Sequence, residues 1–370
     1  MSSSYSTFMT SFFKSLGEID QLSPTDIAQE FAKYCFKHIA EIKEATHSEG
    51  DVVNVAIVDN TTPLSFMTTR SLLVSNTTVL GHHNTSLPPE YRSTDLQNNP
   101  YAQRFESDFI STVDIGMKTR HLYQAVSRFI LCPDLLQLGE WLRACRPLLL
   151  EGDVFYLPNI RVDPNYDAEP YNTGSFQCRA AERHIVSAHM WDVLIKNKTV
   201  LEDLQNPQYS INKRLLKPIL SLELPIIENI DLETFSRITV DEKETFIAFR
   251  DFLQLKLLEL IDIQQSETFY KDLKRFSIEV RDGVRGLNTQ MRNLKRKAAF
   301  QATEAVVGAF TAVLICINTM NIDSLATLGG SGSGIWLVSR VIEQYVAKRK
   351  ELEGSPYFYL WLLSRSRIAK

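Results

Sequence analysis

His82 and His83 are the one adjacent histidine pair in this sequence, and they fall in a polar stretch beside Asn84. A metal site needs three or four converging ligands, and no cysteine or acidic pattern nearby completes one. His184 and His189 stand five apart with Glu182 close by. Ligands on one helical face sit three or four apart, so these two read as core or surface histidines. Asp163, Asp167 and Glu169, with Tyr166 and Tyr171, could form an acidic, aromatic-lined loop. Carboxylates become an acid–base pair only through a geometry that spacing alone does not supply. The run Gly329–Gly334 lacks the Gly-x-x-x-x-Gly-Lys-Ser/Thr order of a phosphate loop, and neither Gly-x-Ser-x-Gly nor His-Glu-x-x-His occurs. The sequence therefore offers no catalytic set, no metal ligands and no cofactor motif.

What it offers instead is positive charge beside apolar length. Lys295-Arg296-Lys297 precedes a run from Ala305 to Ile317 that is almost unbroken in its apolar character and contains Leu314. A weaker stretch, Ser324 to Ser339, carries Trp336 and is followed by Arg340 and then Lys348-Arg349-Lys350. A membrane hairpin over 305–339 with both ends in the cytosol would have this order, because cations stay on the cytoplasmic side. Length argues the other way. A span needs about 20 predominantly apolar residues, whereas a run of about 10–14 more often marks a buried helix or re-entrant segment. The first run has 13 such residues before Asn318, and the second contains several glycines. Insertion into lipid and burial within the protein both stay open.

These residues need elements to hold them. Phe269, Leu273, Phe276, Val280, Val284, Leu287, Met291, Leu294 and Ala298 recur at steps of three and four. This coiled-coil-like seam predicts one long amphipathic helix with a partner along its length. Thr239-Val240-Asp241-Glu242 resembles a capping box opening a helix with Phe246, Phe249, Leu253, Leu257 and Leu260 on one face. That helix is the expected partner, in an antiparallel hairpin. Upstream, Ser23-Pro24-Thr25-Asp26 marks a helix start, Asp134 a cap and Gly152 a stop. Val53–Ile57, Ser71–Leu80 around the turn-like Ser75-Asn76, and Val154–Leu157 read as strands, while Leu122–Leu131 and 176–205 read as helices. The 82–99 and 159–174 segments read as loops, the second long enough to be functional.

Net charge is −4 overall but unevenly spread. From Lys271 onward there are 16 Lys/Arg against 8 Asp/Glu, net +8, which leaves −12 for the first 270 residues. Such asymmetry favours contact of the basic part with a membrane surface, nucleic acid or an acidic partner. The aromatics Phe269, Tyr270 and Phe276 lie on or beside the seam, which disfavours base stacking and hence nucleic acid. Five widely spaced cysteines and an N-terminus without a signal-peptide pattern imply a reducing, cytoplasmic location, with or without attachment to the inner face of a membrane.

The expected fold is α+β and predominantly helical. A mixed α/β domain (1–205) leads through an extended linker (206–238) to an all-α module (239–370) built on the long antiparallel hairpin. The expected function is non-enzymatic. The C-terminal module associates with or inserts into a membrane through Lys295, Arg296, Lys297, Leu314, Trp336, Arg340, Lys348, Arg349 and Lys350. The acidic N-terminal domain senses a signal or binds a protein partner. The alternative is a soluble interaction or scaffold protein with every apolar stretch buried, and a third reading is an enzyme using the 159–174 loop.

Overall fold

The computed structural model describes residues 4–46, 52–82, 102–110, 113–115, 118–120, 124–166, 191–203, 211–262, 268–305 and 333–366. They form two compact units: Met1–Ser221 with Asp231–Asp241, and Leu222–Ile230 with Glu242–Lys370.

The first unit begins with three helices, Ser4–Leu16 (α1), Pro24–Lys37 (α2) and Ile39–Thr46 (α3). It continues through Val52–Ile57 (β1), Leu64–Ser71 (α4), Thr77–His82 (β2), Ala102–Ile110 (β3), Val113–Ile115 (β4), Lys118–Arg120 (β5) and Gln124–Leu131 (β6). Next come Leu135–Ala144 (α5), Arg146–Glu151 (α6), Val154–Tyr156 (β7), Ile160–Tyr166 (β8), Val193–Lys196 (β9), Thr199–Asp203 (β10) and Ile211–Ser221 (α7). Pro225–Glu228 (α8) belongs to the second unit, and Leu232–Asp241 (α9) returns to the first.

The main sheet has five strands in the order β10-β9-β1-β2-β7. The four from β9 to β7 are parallel, and β10 closes one edge antiparallel to β9. Val53, Val55, Ala56 and Ile57 of β1 are all fully buried, as expected of a central parallel strand covered on both faces. The chain adds β2 and then β7 on one side of β1 and later places β9 on the other. The strand order therefore reverses at β1, and in such sheets ligands bind beyond the carboxyl ends of the strands near that reversal. A second, antiparallel sheet has the order β3-β6-β8.

Local chemistry sets the helices that flank these strands. The Ser23 hydroxyl accepts from Asp26 N–H at the start of α2, and the Asp134 carboxylate accepts from Leu136 and Gln137 N–H at the start of α5. The two helices press together at Gly139, where a Cβ would lie 1.7 Å from the Pro24 carbonyl oxygen. Gly152 ends α6 at φ +79°, the left-handed conformation that glycine adopts without strain, and turns the chain into β7.

The second unit contains Lys243–Asp262 (α10), Phe269–Ala305 (α11), Ser333–Glu353 (α12) and Phe358–Ser366 (α13). Along the predicted seam, Leu273, Phe276, Val280, Val284, Leu287, Met291 and Ala298 are buried. α11 packs mainly against α12, with α13 and α10 also on it. Its 37 residues span about 55 Å. Phe252 of α10 meets Phe276 at 6.0 Å, and Tyr359 of α13 meets Phe246 at 5.1 Å. Among the described residues no helix is long and apolar enough to cross a membrane.

Several expectations change. The protein is mixed α/β with a more substantial sheet than the few short strands expected. Residues 124–131 form a strand, and within the helix expected over 176–205 the described part is the β9–β10 hairpin. Short apolar runs carry no decisive period, and here β-branched residues with the Asn197-Lys198 turn, both at positive φ, favour strands. The 159–174 loop begins with strand β8, and Pro164 is tolerated because β8 is an edge strand. The extended linker expected over 206–238 is helical at α7, α8 and α9. The supposed capping residue Thr239 lies inside α9, its hydroxyl donating to Phe235 O.

Candidate functional site

β1 ends in Val58-Asp59-Asn60-Thr61-Thr62-Pro63, a loop built around one carboxylate. Asp59 is 8% exposed. Its Oδ1 accepts from the N–H groups of Thr61 and Thr62 at 2.8 and 2.7 Å, and its Oδ2 accepts from Asn197 N–H at 2.5 Å. Lys198 N–H donates to the Thr62 hydroxyl at 3.0 Å. The β9–β10 turn is thus stitched to the β1–α4 loop across the crevice where the strand order reverses. Amides that could cradle a phosphate in that crevice are already satisfied by Asp59. Burial alone would raise the Asp59 carboxyl, but the hydrogen bonds from Asn197, Thr62 and Thr61 outweigh it and hold it below the usual range.

The open space lies one strand over, beyond β2. A cavity of about 360 Å³ is lined by His82 at the end of β2, Cys132 after β6, Thr62 and Ser65 around the start of α4, and Trp141 and Glu140 of α5. His82 and Cys132 stand at strand ends, Thr62 and Ser65 at the start of α4, and Glu140 and Trp141 on the body of α5. Behind the cavity lie polar contacts. His82 Nδ1 meets the Tyr156 hydroxyl at 2.8 Å, and the Cys132 thiol donates to Asp134 O at 3.3 Å. Trp141 is fixed by its indole N–H donating to the Thr68 hydroxyl at 2.9 Å.

The protonation states follow from burial. Burial pulls the His82 imidazole down, and the Asp59 carboxylate pulls it only part of the way back, leaving it at about 4. Burial pushes the Cys132 thiol up to about 12 and the Tyr156 phenol well above its ordinary value. Near neutral pH the three groups are therefore uncharged. A nucleophilic cysteine needs its thiolate, and a general base works best with a pKa near the working pH. The cluster is suited to hydrogen-bonding a ligand, and it has neither an activated nucleophile nor a strong base.

The expected surface residues occupy the second unit. Lys295 is half-buried on α11, and burial lowers its ammonium, with Arg365 and Arg349 lowering it further. Cations from α11, α12 and α13 therefore converge. Arg349 pairs with Glu353 at 2.9 Å, and Arg365 lies 5.1 Å from the Trp361 ring. Arg296, Lys297, Lys348 and Lys350 are exposed, and Lys297 and Lys348 line a small cavity with Tyr345 between α11 and α12. Trp336 and Arg340 belong to α12. Leu314, the run 306–317, His83, His184, His189, Asp167, Glu169, Tyr171 and Gly329–Gly332 lie outside the described residues.

Spacing singled out His82 beside His83, which lies outside the described residues. Its partner Tyr156 was passed over as a strand residue and is 74 positions away in the chain. For Asp59 a local signal did exist, an Asp followed at two and three residues by Thr after an apolar strand, which is a side-chain-capped turn. Among the described residues no three His, Cys, Asp or Glu side chains are grouped to hold a metal ion. Compared with protein-family models, curated proteins and solved structures, the chain matches none.

Proposed function

We propose that this is a non-enzymatic protein whose helical unit associates with an anionic membrane surface, facing the cytoplasm, while the α/β unit carries a sensing or partner-binding role. The observation that supports it is the gathering of Lys295, Arg349 and Arg365 from three helices, with four more exposed cations on the same helices. Like charges brought together repel, and each Lys or Arg near an anionic bilayer gains about 1 kcal/mol, screened by salt. α11 leads from these cations straight towards the apolar run after Ala305, the part that would enter the bilayer or lie within it. In this reading α10 is the antiparallel arm that steadies α11, which the short connection from Asp262 to Phe269 and the Phe252–Phe276 contact support. The uncharged His82–Tyr156–Cys132 cluster supports the non-enzymatic part.

Flotation of the full-length protein with vesicles tests this. The protein should float with phosphatidylserine-containing vesicles, less so as salt rises, and not with pure phosphatidylcholine. A Lys295→Glu, Arg296→Glu, Lys297→Glu variant should stay at the bottom. Equal flotation of variant and parent, or none by either, sinks the reading. A soluble scaffold with every apolar stretch buried is the second reading, favoured by the near-complete burial of the α11 seam. Leu314→Arg separates the two: it unfolds a scaffold, because an unpaired buried charge is strongly destabilising, but only detaches a membrane protein.

A further inference from the structure

The cavity beyond β2 has a definite chemical character. Its lining includes Asp134 and Glu140, the polar residues Asn60, Thr62, Ser65 and Gln137, and Trp141, and no lysine or arginine among the described residues. Asp134 spends Oδ1 on capping α5. Glu140 is exposed at the edge of the cavity.

His82 sets the polarity of the floor. It is nine-tenths buried, and only its Nδ1 has a partner among the described residues. Cys132, which also lines the cavity, donates its thiol proton to the Asp134 carbonyl at 3.3 Å. With Nδ1 engaged by the Tyr156 hydroxyl at 2.8 Å, the other ring nitrogen, Nε2, is left for a hydrogen-bond partner. An unpartnered nitrogen on a largely buried imidazole that lines a cavity asks for a hydrogen-bonding group on a ligand.

We propose that this cavity is a binding site for a small organic amine. Its ammonium group is held by Glu140 and Asp134 and faces the Trp141 ring, and a polar group of the ligand hydrogen-bonds His82 Nε2. The volume sits at the low end of ligand pockets, which run from roughly 300 to 1,000 Å³, and so fits a small molecule rather than a peptide. The ring offers the negative face that attracts cations. An anionic ligand would meet two acidic residues and, among the described residues, no counter-charge. The closed crevice at Asp59 points the same way, since its loop amides are not available to a phosphate.

The test uses the full chain without vesicles, so failure of the membrane reading leaves it untouched. Spermidine, choline and tyramine, with succinate and glycerol as controls, are titrated while Tm and tryptophan fluorescence are followed. At least one amine should raise Tm saturably, and succinate and glycerol should not. Glu140→Lys, at an exposed position, should leave the unliganded Tm unchanged and weaken that amine at least about tenfold, the usual loss for a charged hydrogen bond. His82→Gln should weaken it too, but that variant can also lower stability, so Glu140→Lys carries the decision. No response to any of the three amines, an equal response to succinate, or unchanged affinity in Glu140→Lys overturns the proposal.

Discussion

His82 makes the stability of the α/β unit depend on pH in a window of its own. Its folded value of about 4 lies below the ordinary histidine value of about 6.5, because the buried ring resists charge. Between those values the unfolded chain binds a proton that the folded chain does not. Stability is therefore full above about 6.5 and falls as the pH drops towards 4. From pH 7 to pH 5 the loss is about 2 kcal/mol. Asp59 acts lower down: its carboxyl is held below the usual range, so its contribution is present above the ordinary carboxylate value and fades only as pH falls through the depressed one. Urea denaturation at pH 7 and pH 5 should show the drop in the parent and a much smaller one in His82→Gln. An equal drop in both would mean that another group is responsible. Sequence alone made His82 conspicuous but hid its role, because burial and the carboxylate of Asp59, which lies well before it in the chain, decide its charge.

At the level of elements, two glycines three residues apart on α11 give opposite expectations. A Cβ on Gly286 would meet nothing within 4 Å, whereas on Gly283 it would come within 2.5 Å of the Tyr357 ring. Gly286→Ala should stabilise the helical unit by up to about 1 kcal/mol, through helix propensity alone. Gly283→Ala gains the same propensity but must displace Tyr357, which also packs on Phe252 at 5.4 Å and donates to Glu279 at 3.3 Å. It should destabilise by roughly 1–3 kcal/mol. Thermal unfolding of the two variants side by side checks this, and Tm shifts of the same sign would show that Tyr357 yields freely. The helix itself was legible because its seam repeats over many turns, so single exceptions cannot mask the period. Strands β6, β8, β9 and β10 were not. Each is under ten residues, and in so short a run the partner strand, which lies elsewhere in the chain, settles the conformation.

For the whole molecule, the decisive fact is that neither unit is continuous in sequence. The chain leaves the α/β unit after Ser221, gives Leu222–Ile230 to the helical unit, and returns for Asp231–Asp241 before leaving again. No local pattern announces such an exchange, since α8 and α9 are both short amphipathic pieces beside a proline-containing stretch, and a reading by composition makes the region a linker. The exchange has a measurable consequence. α9 packs on α5 and α6 and buries Phe235, Ser236 and Thr239 completely. A fragment ending at Ser221 exposes that surface, and loss of a buried phenylalanine alone costs about 3–5 kcal/mol. Residues 1–241 should therefore unfold in urea at a clearly higher midpoint than residues 1–221. In the intact chain Phe235→Ala should lower the stability of the α/β unit by a similar amount. If the two fragments unfold together and Phe235→Ala is neutral, α9 is an ornament and the first unit is complete at Ser221. If the longer fragment is the more stable, a cut made where composition changes would sever the fold that shapes the His82 cavity, which Leu232 of α9 also lines.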